Sequence, residues 1–166
     1  MSAKYSDYLD SKRRIVFVDA HKFLQLWKNE PYDFHADLSY GNESTWFSDY
    51  KYHHADRGFS HGLSNPVPLA HPVCQHYEKK IAIWKREFLF FKKIDCIEKS
   101  KIVYVDFIDG ITRTIWLLAN GASAFPVEID KKDAPLLNDN AGIGVKTQSV
   151  SELIRVGASG RNLCPQ

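Results

Sequence analysis

The spacing of apolar positions changes twice along residues 102–129, IVYVDFIDGITRTIWLLANGASAFPVEI. Residues 102–108 are rich in β-branched and aromatic side chains, with Val103, Val105 and Phe107 at alternate positions, the pattern of a strand with one buried face. Asp109-Gly110 interrupts it, and a period near 3.6 takes over, placing Ile111, Ile115 and Leu118 on one stripe of a helix. Asn120-Gly121 closes that helix, because glycine enters the left-handed conformation without a steric penalty. Residues 124–129 return to an extended pattern in which Pro126 predicts an edge or a strand start. A parallel crossover needs about a dozen linking residues, and this linker is long enough for one.

Elsewhere the same reading gives a strand over 14–18, then Asp19 as N-cap of a helix that buries Ala20, Phe23, Leu24 and Trp27. Pro31 lies beyond its end, and 31–42 reads as loop. A second helix is predicted over 44–52, burying Trp46, Phe47 and Tyr50. Residues 57–68, dense in glycine, proline, serine and asparagine, read as a long loop of the kind that carries function or moves. Residues 69–77 and 81–91 read as strands of a hairpin turning at Glu78-Lys79-Lys80. Asp133-Ala134-Pro135 opens a short helix, with proline where a missing N–H costs little. Ser149 and Glu152 form a capping box before a helix ending near Gly157. The first twelve residues are polar, and residues 158–166 read as a tail.

The turn at Asp109 matters most for chemistry. The first turn of the following helix presents unpaired N–H groups and the positive end of the helix dipole, an arrangement that suits phosphate. Thr112 adds a hydroxyl and Arg113 a planar guanidinium fork matched to phosphate oxygens. The competing reading is structural: Asp109 caps the helix and Arg113 pairs with a surface carboxylate. A capping carboxylate would occupy the donors that phosphate needs, so an anion-binding turn requires Asp109 to swing away, hold a metal ion or act on substrate.

Composition sets bounds. With 166 residues and 44% apolar content, the chain can bury one core and reads as one domain. A net charge of +2 and a pI near 8.4 do not announce a nucleic-acid binder on their own. No apolar run approaches the roughly 18 residues of a membrane span, and the N-terminus lacks a signal-peptide core. Three widely spaced cysteines, Cys74, Cys96 and Cys164, suit a reducing compartment with free thiols. A cytoplasmic protein is expected, peripheral to a membrane only through partners.

Three further clusters carry chemistry-bearing residues. Lys79-Lys80, Lys85-Arg86 and Lys92-Lys93 alternate with Trp84 and with Phe88, Phe90 and Phe91, a mixture that can track a phosphate backbone while rings stack on bases. The plainer alternative is a half-buried strand pair whose lysines guard its edge, with 88–91 in the core. His53, His54, Asp56 and His61 flank the glycine-rich loop, and a histidine there can act as general base or phosphate contact. A polar loop held by side-chain hydrogen bonds is the plainer reading. His71-x-x-Cys74-x-His76 has ligand-type residues, but strand alternation separates His71 from the other two, and no metal site is assigned.

The 102–129 segment resembles the signature of the ParB/sulfiredoxin superfamily: a strand, a G-x-x-R turn opening a helix (Gly110-Ile111-Thr112-Arg113), and a following G-x-x-x-F-P-V run (Gly121 to Val127). Sulfiredoxins carry a catalytic cysteine two positions before the arginine, where this chain has Ile111, so the thiol chemistry is absent. ParB proteins carry a basic cluster in the turn, replaced here by isoleucine and threonine. More narrowly, Tyr52-His53, Gly58-Phe59-Ser60-His61-Gly62, Asn65-Pro66-Val67-Pro68-Leu69-Ala70 and the run from Gly110 to Leu118 resemble the plasmid fertility-inhibition factors, the group containing the FiwA and Osa proteins. Together these stretches reach across more than half of the chain.

That resemblance implies a mixed α/β fold of ParB/sulfiredoxin type over residues 1–157, with helices packed on a small mixed sheet. It implies a plasmid-encoded protein that blocks export of DNA or effectors through a type IV secretion system, with DNA and a coupling or secretion ATPase as partners. It also implies ATP as cofactor, with magnesium, and ATPase and DNase activities. In those terms Arg113, Thr112, Gly110 and Asn65 would hold nucleotide, Asp109, Arg113 and His61 would act in catalysis, and Lys79, Lys80, Lys85 and Arg86 would contact nucleic acid. A non-catalytic module that jams the secretion ATPase is the alternative, with the surfaces around Trp46 and Phe88 as contacts.

Overall fold

The computed structural model describes residues 11–62, 67–88 and 91–152, and gives the backbone alone for 84–88 and 91–95. Among the described residues, the four strands and six helices that are described from end to end follow the order β1 (Arg13–Asp19), α1 (Ala20–Lys28), α2 (Ala36–Ser39), α3 (Glu43–Phe47), α4 (Tyr52–Ser60), β2 (His71–Phe88), β3 (Phe91–Asp109), α5 (Ile111–Ala119), β4 (Ala124–Asp130) and α6 (Ala134–Ala141). This mixture of helix and strand is the α/β class that the sequence predicts.

β1 and β4 pair antiparallel, Val16 opposite Val127. The free edge of β1 is covered by the chain after α6, where Ile15 exchanges backbone hydrogen bonds of 2.8 and 3.0 Å with Gln148. On the other side of β4, Ala70 bridges Val127 in parallel and accepts a 2.9 Å bond from the Glu128 N–H. Alternate N–H groups of a strand point the same way, so the N–H that Pro126 lacks would face this lightly bonded side and not β1. From Ala70 the chain enters β2, which pairs antiparallel with β3 along its whole length. The route from β3 through α5 therefore returns to a strand paired antiparallel with β1. The expected β3–β4 parallel crossover is not formed.

The core has two parts. Val16, Val18, Phe125, Val127 and Ile129 from the β1–β4 pair meet Phe23, Val105, Cys74 and Leu137. A second cluster joins Trp27, Trp46, Tyr52, Ile115 and Ala119. Phe107 and Leu118 touch both, tying α5 to the sheet and to the helices. Each fully buried aliphatic side chain contributes about 1.5–3 kcal/mol, and the two clusters hold α5 from both sides.

Several local expectations hold for the stated reasons. The Asp19 side chain accepts from the Lys22 N–H at 2.9 Å, and Phe23 and Trp27 are buried. Gly121 takes φ 73° after α5, and α6 carries proline in its first turn. The Ser149–Glu152 capping box is present, with bonds of 2.7 and 3.2 Å. The rest of that helix and the tail, with Cys164, lie outside the described residues, as do residues 1–10.

Other expectations are corrected. The predicted loop over 31–42 contains α2. The predicted helix over 44–52 is two helices, α3 and α4, separated by a turn in which the Asp49 carboxylate accepts from the Lys51 N–H at 2.9 Å. Only Trp46 of its expected buried trio is inside, while Phe47 and Tyr50 are exposed. The predicted loop from residue 57 begins as the last turn of α4. No turn occurs at Glu78-Lys79-Lys80: β2 runs on to Phe88, which pairs with Phe91 of β3.

Candidate functional site

The turn from β3 into α5 is built around Gly110. This residue has φ 97°, a left-handed conformation that favours glycine. A Cβ on it would stand 2.5 Å from the Ala70 Cα and 2.7 Å from the Ala70 Cβ. The glycine is therefore required by the turn and by contact with the lead-in to β2. The Gly110 carbonyl accepts from the Thr114 N–H at 3.0 Å and the Thr114 hydroxyl at 3.1 Å, with Thr114 fully buried.

Gly110 is the N-cap and supplies no side chain, and no side-chain cap bonds the first turn of α5. Of the competing structural reading, the Asp109 cap is not made, while the pairing of Arg113 with a surface carboxylate is. Asp109 instead turns to Arg113, one turn further on: Arg113 Nη2 donates to Asp109 Oδ2 at 2.5 Å, and Nη1 donates to the Pro68 carbonyl at 2.8 Å. The Arg113 side chain is 15% exposed and that of Asp109 74% exposed. The guanidinium is thus held by the scaffold, while its carboxylate partner stands in solvent.

These residues form one wall of an open cleft of about 580 Å³, with Asp109, Gly110, Thr112 and Arg113 on that side. The opposite wall comes from α4 and the turn before it, through Tyr50, Lys51, His54 and Gly58. Val67 closes one end, and a Cβ at Gly58 would come within 3.3 Å of Val67 Cγ2. Lys51 Nζ lies 5.2 Å from the centre of the Tyr50 ring, and hydrogen bonding to the Tyr50 side chain raises the ammonium pKa above its ordinary value. Thr112 also borders a smaller adjoining cleft of about 220 Å³, shared with His35, Asp37 and Asp49.

α4 and α5 are fixed to each other. Trp116 Nε1 donates to Asp56 at 3.0 Å, Asn120 Nδ2 donates to the Tyr52 hydroxyl at 2.9 Å, and the Phe59 and Trp116 rings stack at 4.1 Å. Asp56 thereby has a structural partner. Of the histidines near the predicted loop, His54 reaches the cleft; His53 is exposed beside it, the two rings 4.1 Å apart. His61 is the C-cap of α4 and is not among the cleft-lining residues. Asn65 lies outside the described residues. Lys79 and Lys80 are exposed on β2, and Lys85 and Arg86 lie further along its backbone, all outside the cleft lining.

The sequence reading missed Tyr50 and Lys51. It placed them inside one helix, and only the Asp49 turn aims them at α5. With a lysine, an arginine held at its root and uncapped helix amides around an open volume, the cleft can take an anion of phosphate type. Its one lining carboxylate is Asp109, and no group of three metal-ligating side chains occurs among the described residues.

His71 and Cys74 are separate features. Arg13 donates to the His71 ring, Arg13 Nε lies 3.3 Å from Asp130, and His71 Nε2 lies 3.6 Å from the same carboxylate. Burial, then the Arg13 charge, pushes the His71 pKa down. Cys74 is buried, which pushes its thiol up to about 12.

The crystal structure of the oncogenic suppression activity protein, a plasmid fertility inhibition factor solved as a gold(I) cyanide derivative, matches this fold with a TM-score of 0.63 and 25% sequence identity over 89% of the chain. The chain spans 65% of that protein's length. No curated protein sequence matches. The model of the plasmid fertility inhibition factor family matches residues 15–142, from β1 through α6 and including every wall of the cleft. The chain belongs to the plasmid fertility inhibition factor family.

Proposed function

We propose that this protein blocks conjugative or type IV secretion transfer of DNA or effectors from the cell that carries it, and that it does so by binding a nucleotide in the cleft between α4 and α5. The observation that carries the reading is the uncapped first turn of α5, open beside Arg113 and across from Lys51. Amides with no side-chain acceptor and two cations around one volume favour a polyphosphate.

In this reading Arg113 and Thr112 hold phosphate oxygens, and Lys51 closes over them from the α4 side. Asp109 exchanges Arg113 for the magnesium ion that accompanies ATP, which needs only one or two carboxylates beside the phosphates. Its exposure leaves it free to turn. ATP hydrolysis and DNA cleavage are the activities proposed for the site, with transferred DNA and the secretion ATPase as partners and the donor cytoplasm as the place of action. The ParB/sulfiredoxin kinship suggested by the Gly110–Arg113 turn supports the choice of ATP.

Calorimetry of ATP with magnesium, on wild type and Arg113→Ala in parallel, tests the reading. Binding by wild type with loss of at least tenfold in the variant is expected; no binding by wild type would sink it. A second reading, a module that jams the secretion ATPase without chemistry, is favoured by the exposed aromatics Tyr32, Phe34, Tyr40, Phe47 and Tyr50. Undiminished transfer inhibition by a folded Arg113→Ala variant would select it.

A further inference from the structure

On the reading of the larger cleft as a nucleotide site, we propose that the smaller cleft beside Thr112 is its sugar subsite. There Asp37 accepts from the vicinal hydroxyls of a ribonucleoside whose phosphates lie at the start of α5. The ligand class is then a ribonucleotide, favoured over both its dideoxy analogue and bare polyphosphate.

The two clefts adjoin, since Tyr50, Lys51, Ile111 and Thr112 border both. Their remaining walls differ in charge. The larger one has Arg113 and the uncapped amides of α5, and its single carboxylate, Asp109, is paired with Arg113. The smaller one has His35, Asp37 and Asp49. Two carboxylates repel a phosphate, and as pure acceptors they call for a hydrogen-bond donor. A nucleotide whose phosphates sit by Arg113 therefore matches this pair of clefts with its uncharged, hydroxyl-bearing part toward Asp37.

Size and bonding select a sugar. The smaller cleft, at about 220 Å³, falls below the roughly 300 Å³ at which pockets take a drug-sized ligand, so it suits one ring. His35, Asp37 and Asp49 do not converge on an ion, because no group of three metal-ligating side chains occurs among the described residues. Asp49 already accepts from the Lys51 N–H at 2.9 Å, which holds the turn that aims Lys51. Asp37 stands exposed in the first turn of α2, and no hydrogen bond or ion pair holds its carboxylate among the described residues. Its two oxygens can take two neighbouring hydroxyls, the means by which an acidic side chain reads ribose. A site built to bond hydroxyls discriminates against an analogue that lacks them.

The test is calorimetry, with and without magnesium, of ATP, 2′,3′-dideoxy-ATP and tripolyphosphate on wild type and Asp37→Ala. Asp37 is exposed, so the variant should keep its circular dichroism and Tm. Wild type should bind ATP about tenfold more tightly than the dideoxy analogue. Asp37→Ala should bring ATP down to the level of that analogue and leave tripolyphosphate no weaker, since a repelling carboxylate is gone. The proposal is overturned if wild type binds ATP and its dideoxy analogue equally, a comparison that needs no variant, or if Asp37→Ala keeps the preference. Equal weakening of ATP and tripolyphosphate in the variant overturns it too, and such weakening only with magnesium would assign Asp37 to the metal. Tripolyphosphate binding without a preference for ATP over the dideoxy analogue removes the sugar subsite and leaves the phosphate cleft standing. Binding of none of the three removes both.

Discussion

Asp109 and Arg113 are bound to each other at 2.5 Å across the first turn of α5, and the carboxylate is the exposed partner. An exposed ion pair of this kind is worth about 0–1 kcal/mol, so it does little for stability. Its consequence is local: the acid that could have capped the helix neutralises the arginine instead, leaving the amides open.

Asp109→Asn should therefore act oppositely with and without metal. Without magnesium, the loss of a competing carboxylate frees Arg113, and ATP should bind about three- to tenfold more tightly. With magnesium, the loss of the metal-facing group should remove that gain. Calorimetry under both conditions checks it, and identical affinities for wild type and variant in both would exclude Asp109 from the site.

Gly110→Ala should destabilise the fold by about 2–3 kcal/mol. An L-residue at positive φ costs about 1–2 kcal/mol, and the added methyl meets the Ala70 backbone, which cannot rotate away. Urea denaturation measures the change; a loss below 0.5 kcal/mol would mean that the turn relaxes.

Acid should weaken the protein through His71. Its folded pKa lies below the unfolded value, near 6.5, because of burial and Arg13, while Asp130 and Glu128 oppose the shift. Below about pH 6.5 the unfolded chain binds the proton more readily, so the stability present above that pH is lost as pH falls toward the folded pKa. Thermal melts from pH 7.5 to 5.5 should show a decline that His71→Asn flattens. An unchanged slope in the variant would assign the decline to other groups.

The two described cysteines should differ in reactivity. Cys96 is exposed on β3, whereas Cys74 is buried with its thiol pushed up to about 12. Thiolate is the reacting form. Iodoacetamide at pH 8, followed by peptide mass mapping, should modify Cys96 within minutes and Cys74 only after unfolding. Equal labelling would indicate that the β2–β3 ribbon opens at its base.

The sequence by itself determined the elements whose signals are local. Asp19 accepts from an amide three residues away, Gly121 stops a helix by its own φ, and the alternation of Val103, Val105 and Phe107 needs only one strand. The Gly110–Arg113 turn was legible for the same reason, since its parts lie within a few residues, and the family pattern runs through it. What tertiary structure decided is which side of each element meets which other. The Asp49 turn split an expected helix in two and brought Lys51 opposite Thr112 and Arg113. Arg113 reached Pro68, 45 residues away, and holds the Asp109 carboxylate away from a capping position. The turn expected at Glu78-Lys79-Lys80 rested on local polarity, which does not say where a strand ends; pairing with β3 carried β2 through it to Phe88. Periodicity and capping are encoded within a single turn or strand, but a cleft or a long-range hydrogen bond depends on long-range register, which residue spacing alone does not carry.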